Sequence, residues 1–519
     1  MTSSRSSINV DEVVRYSISL VLREVMKHFL FVVALASVAL SSSSAIGQKN
    51  SHASRNKLDY EAVGSQIGVA PADSQIAAAL KLVSTDRIKA NITRLVEFHN
   101  RSTISSTETD LKPGTGILAA ADWIKEQFES YSKDCGGCME VQFDEFIEQP
   151  QPDSNNSHPR IVKPTPLRNV YAILRGSDPS AAKRMYLITG HYDTRETDVM
   201  NTHDFAPGAN DDSSGTAVSL EAARIMSKFK FPATIVFVAV AGEEQGLNGS
   251  RHLALRAQKE GWELEGVLNN DIVGGDTTPG DTLQSKQRVR VFSQGILSSS
   301  PIEQIRQTLS IGGENETPSR QLAREVLAVN RTYLSTNREP FHAVMELRLD
   351  RFLRGGDHRS FSDEGFPAVR FTEWRENFDH QHQHVRTENG KEYGDLLKFD
   401  DFNYIAQVAR LNIATLATLA ISPGMPQQVH VSTSNLDNDT ILKWDGPKNS
   451  SGDLRYQIVW RETAVNDWQY AFDAKDTSGP APYSVRLPIS KDNVFFGVRA
   501  CNTKAVCSQA VPPVPVRER

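Results

Sequence analysis

Cysteine is scarce in this chain of 519 residues, and the four cysteines fall into two local pairs. Cys135 is followed by Cys138, and Cys501 by Cys507. We expect each pair to form a disulfide in an oxidising compartment. The alternative is a single four-thiolate zinc site, which requires the two ends of the chain to meet. No strand-then-helix pattern surrounds Cys135 and Cys138, which argues against a thioredoxin-like use of this pair.

An excess of basic residues is also lacking. The chain has 57 Lys and Arg against 63 Asp and Glu, a net charge of −6. No basic run and no alternation of basic with aromatic residues appears, so nucleic acid is not an expected partner. A hydrophobic content of 39% and a charged content of 23% are typical of a soluble globular protein.

The apolar run near the N-terminus, Phe29 to Leu40, is too short for a comfortable membrane span. It follows Met26-Lys27-His28 and precedes a small-residue stretch that ends at Gly47, which together indicate an export signal. We therefore predict a signal peptide over residues 1–47, with Met26 as the true start and a periplasmic or secreted product. The segment before Met26 is either a long basic leader or the result of a start codon assigned too far upstream. An uncleaved anchor, the alternative, would be the protein's one contact with a membrane.

The rest of the chain divides into a lead-in and two domains. The polar composition of residues 48–74 predicts a flexible lead-in. Over residues 75–422 strands alternate with helices, which predicts an α/β domain with parallel strands. Within it, residues 275–345 are rich in polar, glycine-bearing loops and are interpreted as an insertion that overhangs the site.

Short aromatic-bearing strands follow at even intervals over residues 426–513, which predicts a small all-β sandwich. The placement of Trp444, Tyr456 and Trp460 resembles that in fibronectin type III domains.

Three apolar runs in the α/β region each end in side chains that bind metals or move protons. In open α/β sheets, ligands bind outside the carboxyl ends of the strands, so these side chains should converge. The residues are His191, Asp193, Glu243, Glu244 and Asp271, with Asp211 and Asp212 in a turn between the first two runs.

Four motifs resemble the co-catalytic zinc aminopeptidase family, which includes bacterial leucyl aminopeptidase, aminopeptidase Y and glutamate carboxypeptidase. The resemblance covers roughly residues 75 to 420. It implies the zinc exopeptidase fold, a mixed, mostly parallel sheet sandwiched by helices, with two Zn²⁺ ions per chain and a peptide substrate. The motifs are Gly190-His191-x-Asp193, Pro207-Gly208-Ala209-x-Asp211-Asp212-x-Ser214-Gly215, Glu243-Glu244-x-Gly246-Leu247-x-Gly249-Ser250 and Asn270-Asp271.

The resemblance also implies a role for each residue. His191 and Asp271 match the ligands of one zinc ion, Glu244 matches a ligand of the other, and Asp211 matches the carboxylate that bridges both. Two ions about 3.5–4 Å apart activate a shared water and polarise the scissile carbonyl. Glu243 matches the general base that takes the proton from that water.

Two further acids are interpreted as supporting residues. Asp193 matches the acid that orients the His191 ring and fixes its tautomer. Asp212 is expected to cap the helix that begins nearby.

The second histidine ligand is less constrained, because His380, His382 and His384 stand at alternate positions. In a strand all three would share one face. The family's histidine with an acid four positions later favours His384 with Glu388. A His-Gln-x-Val-Arg phrase, whose first histidine is the ligand in similar proteins, favours His382. We predict His382, with His384 as the alternative.

The resemblance implies an exported zinc exopeptidase, in first place an aminopeptidase. Carboxypeptidases and glutaminyl cyclases share the family's fold, and the transferrin receptor resembles it without a working site, so these functions are the alternatives. Gly356-Asp357-His358-x-x-Phe361 resembles a loop of the substrate pocket; alternatively, His358 is only a hydrogen-bonded residue of a packed loop.

Overall fold

The computed structural model describes residues 57–152, 158–297, 299–450, 452–475 and 479–517. The predicted leader, residues 1–47, lies outside the described residues. The helices of the described chain are α1 (Asp59–Ala62), α2 (Ser74–Leu80), α3 (Thr85–Glu97), α4 (Gly116–Asp134), α5 (Gly215–Met226), α6 (Asn248–Glu260), α7 (Ile302–Ser310), α8 (Pro318–Tyr333), α9 (His358–Asp363) and α10 (Phe402–Ile421). The strands are β1 (Ser65–Gln66), β2 (Met139–Glu148), β3 (Thr165–Leu174), β4 (Arg184–His191), β5 (Thr234–Val240), β6 (Glu263–Asn270), β7 (Arg288–Ser293), β8 (His342–Glu346), β9 (Ala368–Glu373), β10 (Arg386–Glu388), β11 (Lys391–Tyr393), β12 (Gln427–Ser432), β13 (Thr440–Asp445), β14 (Arg455–Glu462), β15 (Tyr470–Asp473), β16 (Tyr483–Leu487), β17 (Val494–Cys501) and β18 (Val514–Val516).

Eight strands form one large mixed sheet in the order β2-β3-β5-β4-β6-β9-β7-β8. The central strands β5, β4, β6 and β9 run parallel to one another, whereas β2 and β3 pair antiparallel at one side. The carboxyl ends of the four central strands therefore lie at one edge of the sheet, where ligands bind in folds of this kind. The predicted mixed, mostly parallel sheet is confirmed.

Helices cover both faces of this sheet. On one face α2, α3, α4, α5, α8 and α10 pack on the strands around the larger core. On the other face Leu253 of α6 and Phe361 of α9 belong to a second, smaller core. A strand covered on both faces is expected to be apolar throughout, as the fully buried β5 is.

One helix in the described chain, α10, is long and apolar enough to cross a membrane. Its apolar window is 78% buried inside the protein. This burial is what the central helix of a packed core requires.

The segment 275–345 is part of the large sheet rather than an insertion that overhangs the site. β7 pairs antiparallel with β9, and β8 pairs parallel with β7, so the segment extends the sheet by two strands. Helix α8 covers them with buried Leu322 and Val326. The parts of the segment that form β7, β8 and α8 therefore belong to the sheet and its core and do not overhang the site.

The C-terminal strands form two four-stranded sheets, β16-β13-β12-β18 and β1-β15-β14-β17. Trp444 and Trp460 are fully buried between them, at the centre of a separate core. These sheets contact the region around α8, where Arg331 lies 2.6 Å from Asp467 and Arg461 pairs with Glu316.

Part of the expected flexible lead-in is ordered on these sheets. β1 pairs with β15, and the Trp460 indole N–H donates to the carbonyl of Tyr60 at 3.0 Å. The ring of Tyr60 also meets that of Tyr470 edge to face at 6.2 Å between centroids. The prediction of a flexible segment was wrong for residues 59–66, since the free edge of β15 and two buried aromatics give them a place to pack.

Both expected disulfides form. Cys135–Cys138 closes the turn between α4 and β2, and Cys501–Cys507 closes the loop after β17. The alternative of one four-thiolate zinc site is therefore wrong.

Candidate metal centre

The side chains predicted to bind metal meet at the carboxyl edge of the large sheet. His191 is the last residue of β4, Glu243 and Glu244 lie in the turn after β5, and Asp271 follows β6. Asp211 lies in the irregular turn that precedes α5. The parallel order of the strands brings together residues that are far apart in the sequence.

His191, Asp211 and Asp271 form a first cluster, in which one ligand atom from each lies within 4.8 Å of the others. Nε2 of His191 lies 3.1 Å from Oδ1 of Asp211 and 3.9 Å from Oδ1 of Asp271. All three side chains are buried. An imidazole nitrogen converging with carboxylate oxygens is a donor set that suits zinc.

Asp211, Glu244 and His382 form a second cluster of the same kind. Nε2 of His382 lies 2.9 Å from both Oδ2 of Asp211 and Oε1 of Glu244. Yet Oε1 of Glu244 is buried and makes no hydrogen bond within the described chain. A buried carboxylate oxygen close to two further donor atoms fits a site for a cation.

The charge of the site also fits a cation. Burial raises the pKa of Glu243 well above its usual range, and the neighbouring carboxylates of Asp271 and Glu244 raise it further. Burial likewise raises the pKa of Asp357 to about 7. Negative charges that are buried without partners are costly, and divalent cations would neutralise them.

The structure separates the three candidate histidines. His382 lies in a turn with a left-handed φ of 54°, and none of the three histidines lies in a strand. The ring of His380 stacks on Phe399 with 3.6 Å between centroids, and Nδ1 of His384 lies 3.2 Å from Oγ1 of Thr197. Of the three, His382 alone belongs to a metal-type cluster of the described residues.

Asp193 supports the centre in two ways. Its carbonyl oxygen lies 3.1 Å from Nδ1 of His191, and its Oδ1 lies 3.4 Å from the same nitrogen. Its carboxylate accepts hydrogen bonds from Oγ1 of Thr103 at 2.8 Å and from the backbone N–H groups of Glu244 and Glu243 at 3.1 and 3.3 Å. Asp193 therefore holds the His191 ring and also fixes the turn that carries both glutamates.

Asp212 caps α5, since its Oδ1 accepts the N–H of Gly215 at 2.9 Å. The same carboxylate accepts the N–H groups of His191 at 3.0 Å and of Ile272 at 3.3 Å. Burial raises its pKa well above the usual range. Asp212 thus joins the ends of β4 and β6 to the start of a helix.

Three residues that contact the centre were missed by sequence reasoning. Arg370 donates to Oδ1 of Asp271 at 2.6 Å, and the amide of Gln381 donates to Oδ2 of Asp211 at 3.1 Å. Asp395 accepts the N–H of Asp211 at 2.7 Å. Two of the three have a signal in the sequence: Arg370 interrupts the apolar strand β9, and Gln381 directly precedes His382.

The loop at residues 356–358 lies against the centre through its glycine. A Cβ atom at Gly356 would lie 3.1 Å from Oδ2 of Asp271 and 2.6 Å from Nη1 of Arg370, so only glycine permits this approach. His358 is fully buried, and its Nε2 lies 2.8 Å from the carbonyl oxygen of Leu349. The buried His358 side chain therefore helps to hold this loop in place.

Similar proteins match nearly the whole chain. Residues 169–397, which include every residue of the two clusters, match Peptidase family M28. A probable zinc metalloprotease of Pyrenophora teres f. teres is 43% identical over 460 residues, covering 87% of this chain and 89% of that protein. A probable zinc metalloprotease of Leptosphaeria maculans is 44% identical over 447 residues, covering 85% of this chain and 97% of that protein.

Among solved structures, the LapA aminopeptidase of Legionella pneumophila is 20% identical, with a TM-score of 0.46, over 69% of this chain and 78% of that chain. The glutaminyl cyclase of Porphyromonas gingivalis is 19% identical, with a TM-score of 0.42, over 64% of this chain and 98% of that chain. The identity and coverage of the curated relatives decide the family. The chain belongs to peptidase family M28 and is a zinc-dependent metallopeptidase.

Proposed function

We propose that this protein is an exported aminopeptidase that uses two zinc ions to remove N-terminal residues from peptides. The observation that carries the proposal is that one carboxylate, Asp211, belongs to two clusters of metal-binding side chains. Its Oδ1 faces His191 and its Oδ2 faces His382. A carboxylate that offers one oxygen to each of two sites is suited to holding two cations side by side.

In this proposal His191 and Asp271 hold one zinc ion, and Glu244 and His382 hold the other. When bound, the ions supply a water of lowered pKa and polarise the scissile carbonyl. Asp193 keeps the His191 ring in place through Nδ1, which leaves Nε2 as the ligand atom.

Glu243 is the proposed general base. Its backbone is held by Asp193 next to the ligand Glu244, while its own side chain belongs to neither cluster. A carboxylate in that position takes a proton from the attacking water and passes it to the leaving amine.

Export is proposed on two grounds. The first is the signal-like N-terminal sequence, and the second is the pair of disulfides, which persist in oxidising compartments. We propose that the C-terminal sheets, which pack near α8, either stabilise the catalytic domain or attach it to a surface or polymer.

A substrate panel tests the activity. The purified protein is assayed on aminoacyl anilides, on their N-acetylated forms and on peptides with blocked C-termini, each with and without a chelator. We expect cleavage that requires a free amine, tolerates a blocked C-terminus, is lost with the chelator and returns with added zinc. Cleavage that instead requires a free C-terminus, or release of ammonia from N-terminal glutamine, would assign a carboxypeptidase or a cyclase and overturn the proposal.

A further inference from the structure

A group of four arginines lies beside the metal centre, and the zinc chemistry does not account for it. We refer to Arg290, Arg351, Arg354 and Arg370 as the arginine cluster. Three of them converge on one carboxylate, that of Glu376, with nitrogen–oxygen distances of 3.0, 2.8 and 2.9 Å for the first three. A single carboxylate neutralises one guanidinium, so positive charge is left over.

The remaining acids do not remove this excess. Asp350 lies 2.9 Å from Arg351 and 3.1 Å from Arg370, and Asp271 lies 2.6 Å from Arg370. Within the described residues, four arginines thus face three carboxylates, and one of these, Asp271, is a proposed zinc ligand. The arginine cluster is therefore a positive region in contact with a centre that is otherwise acidic.

Arg354 is the most exposed member of the arginine cluster and is linked to the metal centre through Gln381. Its Nη1 donates to Glu376 at 2.9 Å and to the side-chain carbonyl of Gln381 at 3.1 Å. The amide nitrogen of the same Gln381 donates to Oδ2 of Asp211. The Gln381 amide therefore connects the Arg354 guanidinium to the Asp211 carboxylate, which the two clusters share.

Arg354 also has N–H groups that make no hydrogen bond within the described chain. Its side chain is 30% exposed, and its two hydrogen bonds within the described chain both come from Nη1. Its Nε and Nη2 are thus available, and a planar pair of N–H donors matches the two oxygens of a carboxylate.

The surface around Arg354 is apolar and exposed. Phe352, Leu353 and Phe378 are 76%, 95% and 66% exposed, and the Arg354 guanidinium lies 6.0 Å from the ring of Phe378. Large exposed apolar side chains grouped around Arg354 indicate a surface on which a ligand rests. A peptide there would be partly shielded from water, which strengthens an ion pair with Arg354.

We propose that Arg354 binds a carboxylate of the substrate close to the scissile bond and so makes the enzyme selective for peptides that carry an anionic group there. The inference rests on the proposed peptidase site and adds a substrate class to it. The carboxylate has two possible sources: an acidic side chain next to the cleaved bond, or the C-terminal carboxylate of a short peptide.

Two matched pairs of substrates separate these sources. The first pair is a glutamyl and a glutaminyl anilide, which differ only in the side-chain charge. The second is a dipeptide with a free C-terminus and the same dipeptide as its amide. We expect the zinc-loaded enzyme to favour the anionic member of one pair by about tenfold or more in kcat/KM, the effect of one hydrogen bond to a charged group. The pair that shows the preference identifies the source.

The Arg354→Leu variant should lose this preference: kcat/KM should fall more for the anionic member of the pair than for the neutral one, mainly through a higher KM, so that their ratio approaches one. Arg354→Lys should keep part of it, because the charge remains but the paired donors are lost. Arg306→Leu is the control, since this exposed arginine pairs with Glu303 on α7. Equal cleavage of both members in both pairs, or a preference that survives in Arg354→Leu, would overturn the inference.

The result is separable from the test of the aminopeptidase proposal. If cleavage requires a free C-terminus, the aminopeptidase proposal fails while the second substrate pair still tests Arg354. If no peptide is cleaved, binding of free glutamate and glutamine to the zinc-loaded protein is measured by calorimetry. Tighter binding of glutamate that disappears in Arg354→Leu supports the inference, and equal binding overturns it.

Discussion

Nε2 of His382 lies 2.9 Å from Oδ2 of Asp211, whereas the other oxygen of this carboxylate faces His191 at 3.1 Å. The two histidines come from regions of the chain nearly two hundred residues apart, and Asp211 is the side chain they have in common. Loss of Asp211 should therefore affect both sites, whereas loss of either histidine should weaken one site first.

The first prediction concerns metal content. Asp211→Ala removes one of three ligands from each cluster, so we expect bound zinc to fall from about two ions per chain to below one. Elemental analysis after dialysis measures this. Asp363→Ala, at an exposed position on α9, is the control and should keep normal zinc. Normal zinc in Asp211→Ala would contradict the shared-ligand arrangement.

The second prediction concerns the general base. Glu243→Gln keeps the size of the side chain but cannot accept a proton, so kcat should fall about 10²–10⁴-fold. Zinc content should stay at the wild-type level, because the Glu243 side chain belongs to neither cluster. Turnover and elemental analysis on the same preparation check both. A variant that retains wild-type turnover would remove Glu243 from this role.

The third prediction separates the neighbouring histidines. His382→Ala should lose one zinc ion and lower kcat/KM by more than the roughly 10–100-fold typical of a residue that only supports a ligand. His384→Ala removes a ring that lies next to Thr197, so this variant should keep both the metal and the activity. The reverse result would make His384 the ligand. His380→Ala is expected to lower thermal stability, since this buried ring stacks on Phe399.

The cluster residues could be predicted because each follows an apolar strand. Parallel strands bring their carboxyl ends to one edge, which is enough to place His191, Glu244 and Asp271 together. The contacts that hold them could not be predicted in the same way. Arg370 contacts Asp271 although the two are 99 positions apart in the sequence, and Gln381 contacts Asp211 at a separation of 170 positions. No local sequence pattern indicates contacts between residues so far apart in the chain.

Two local patterns were misleading for physical reasons. Alternation at period two is typical of a strand, but the left-handed φ of His382 turns its ring away from the direction that a strand would give. Polar composition over residues 275–345 suggested loops, yet β8 lies there. As the last strand of its sheet β8 is only partly buried, so it lacks the continuous apolar run of a central strand.

The last prediction concerns pH and Glu373, which ends β9 behind the metal centre. Its Oε2 accepts the N–H groups of Gly275 at 2.6 Å and Asp276 at 3.0 Å, while Oε1 is buried without a hydrogen bond in the described chain. Burial raises its pKa to about 8. The folded protein therefore binds a proton that the unfolded chain has already released between about pH 4.5 and 8, and its stability should fall as the pH rises through that window.

Glu373→Gln should remove this dependence, because the amide is neutral at every pH and its carbonyl oxygen can accept the same two N–H groups. We expect its free energy of unfolding to match the wild type near pH 5 and to exceed it increasingly towards pH 8.5, by an amount on the order of 3 kcal/mol. Its melting temperature should rise above the wild-type value over the same range. Differential scanning fluorimetry across this range, with zinc held in excess, measures the difference. Glu339→Gln, an exposed glutamate, should follow the wild-type curve throughout. If Glu373→Gln also runs parallel to the wild type, Glu373 is ionised in the folded protein, and the buried carboxylate must have a positive partner.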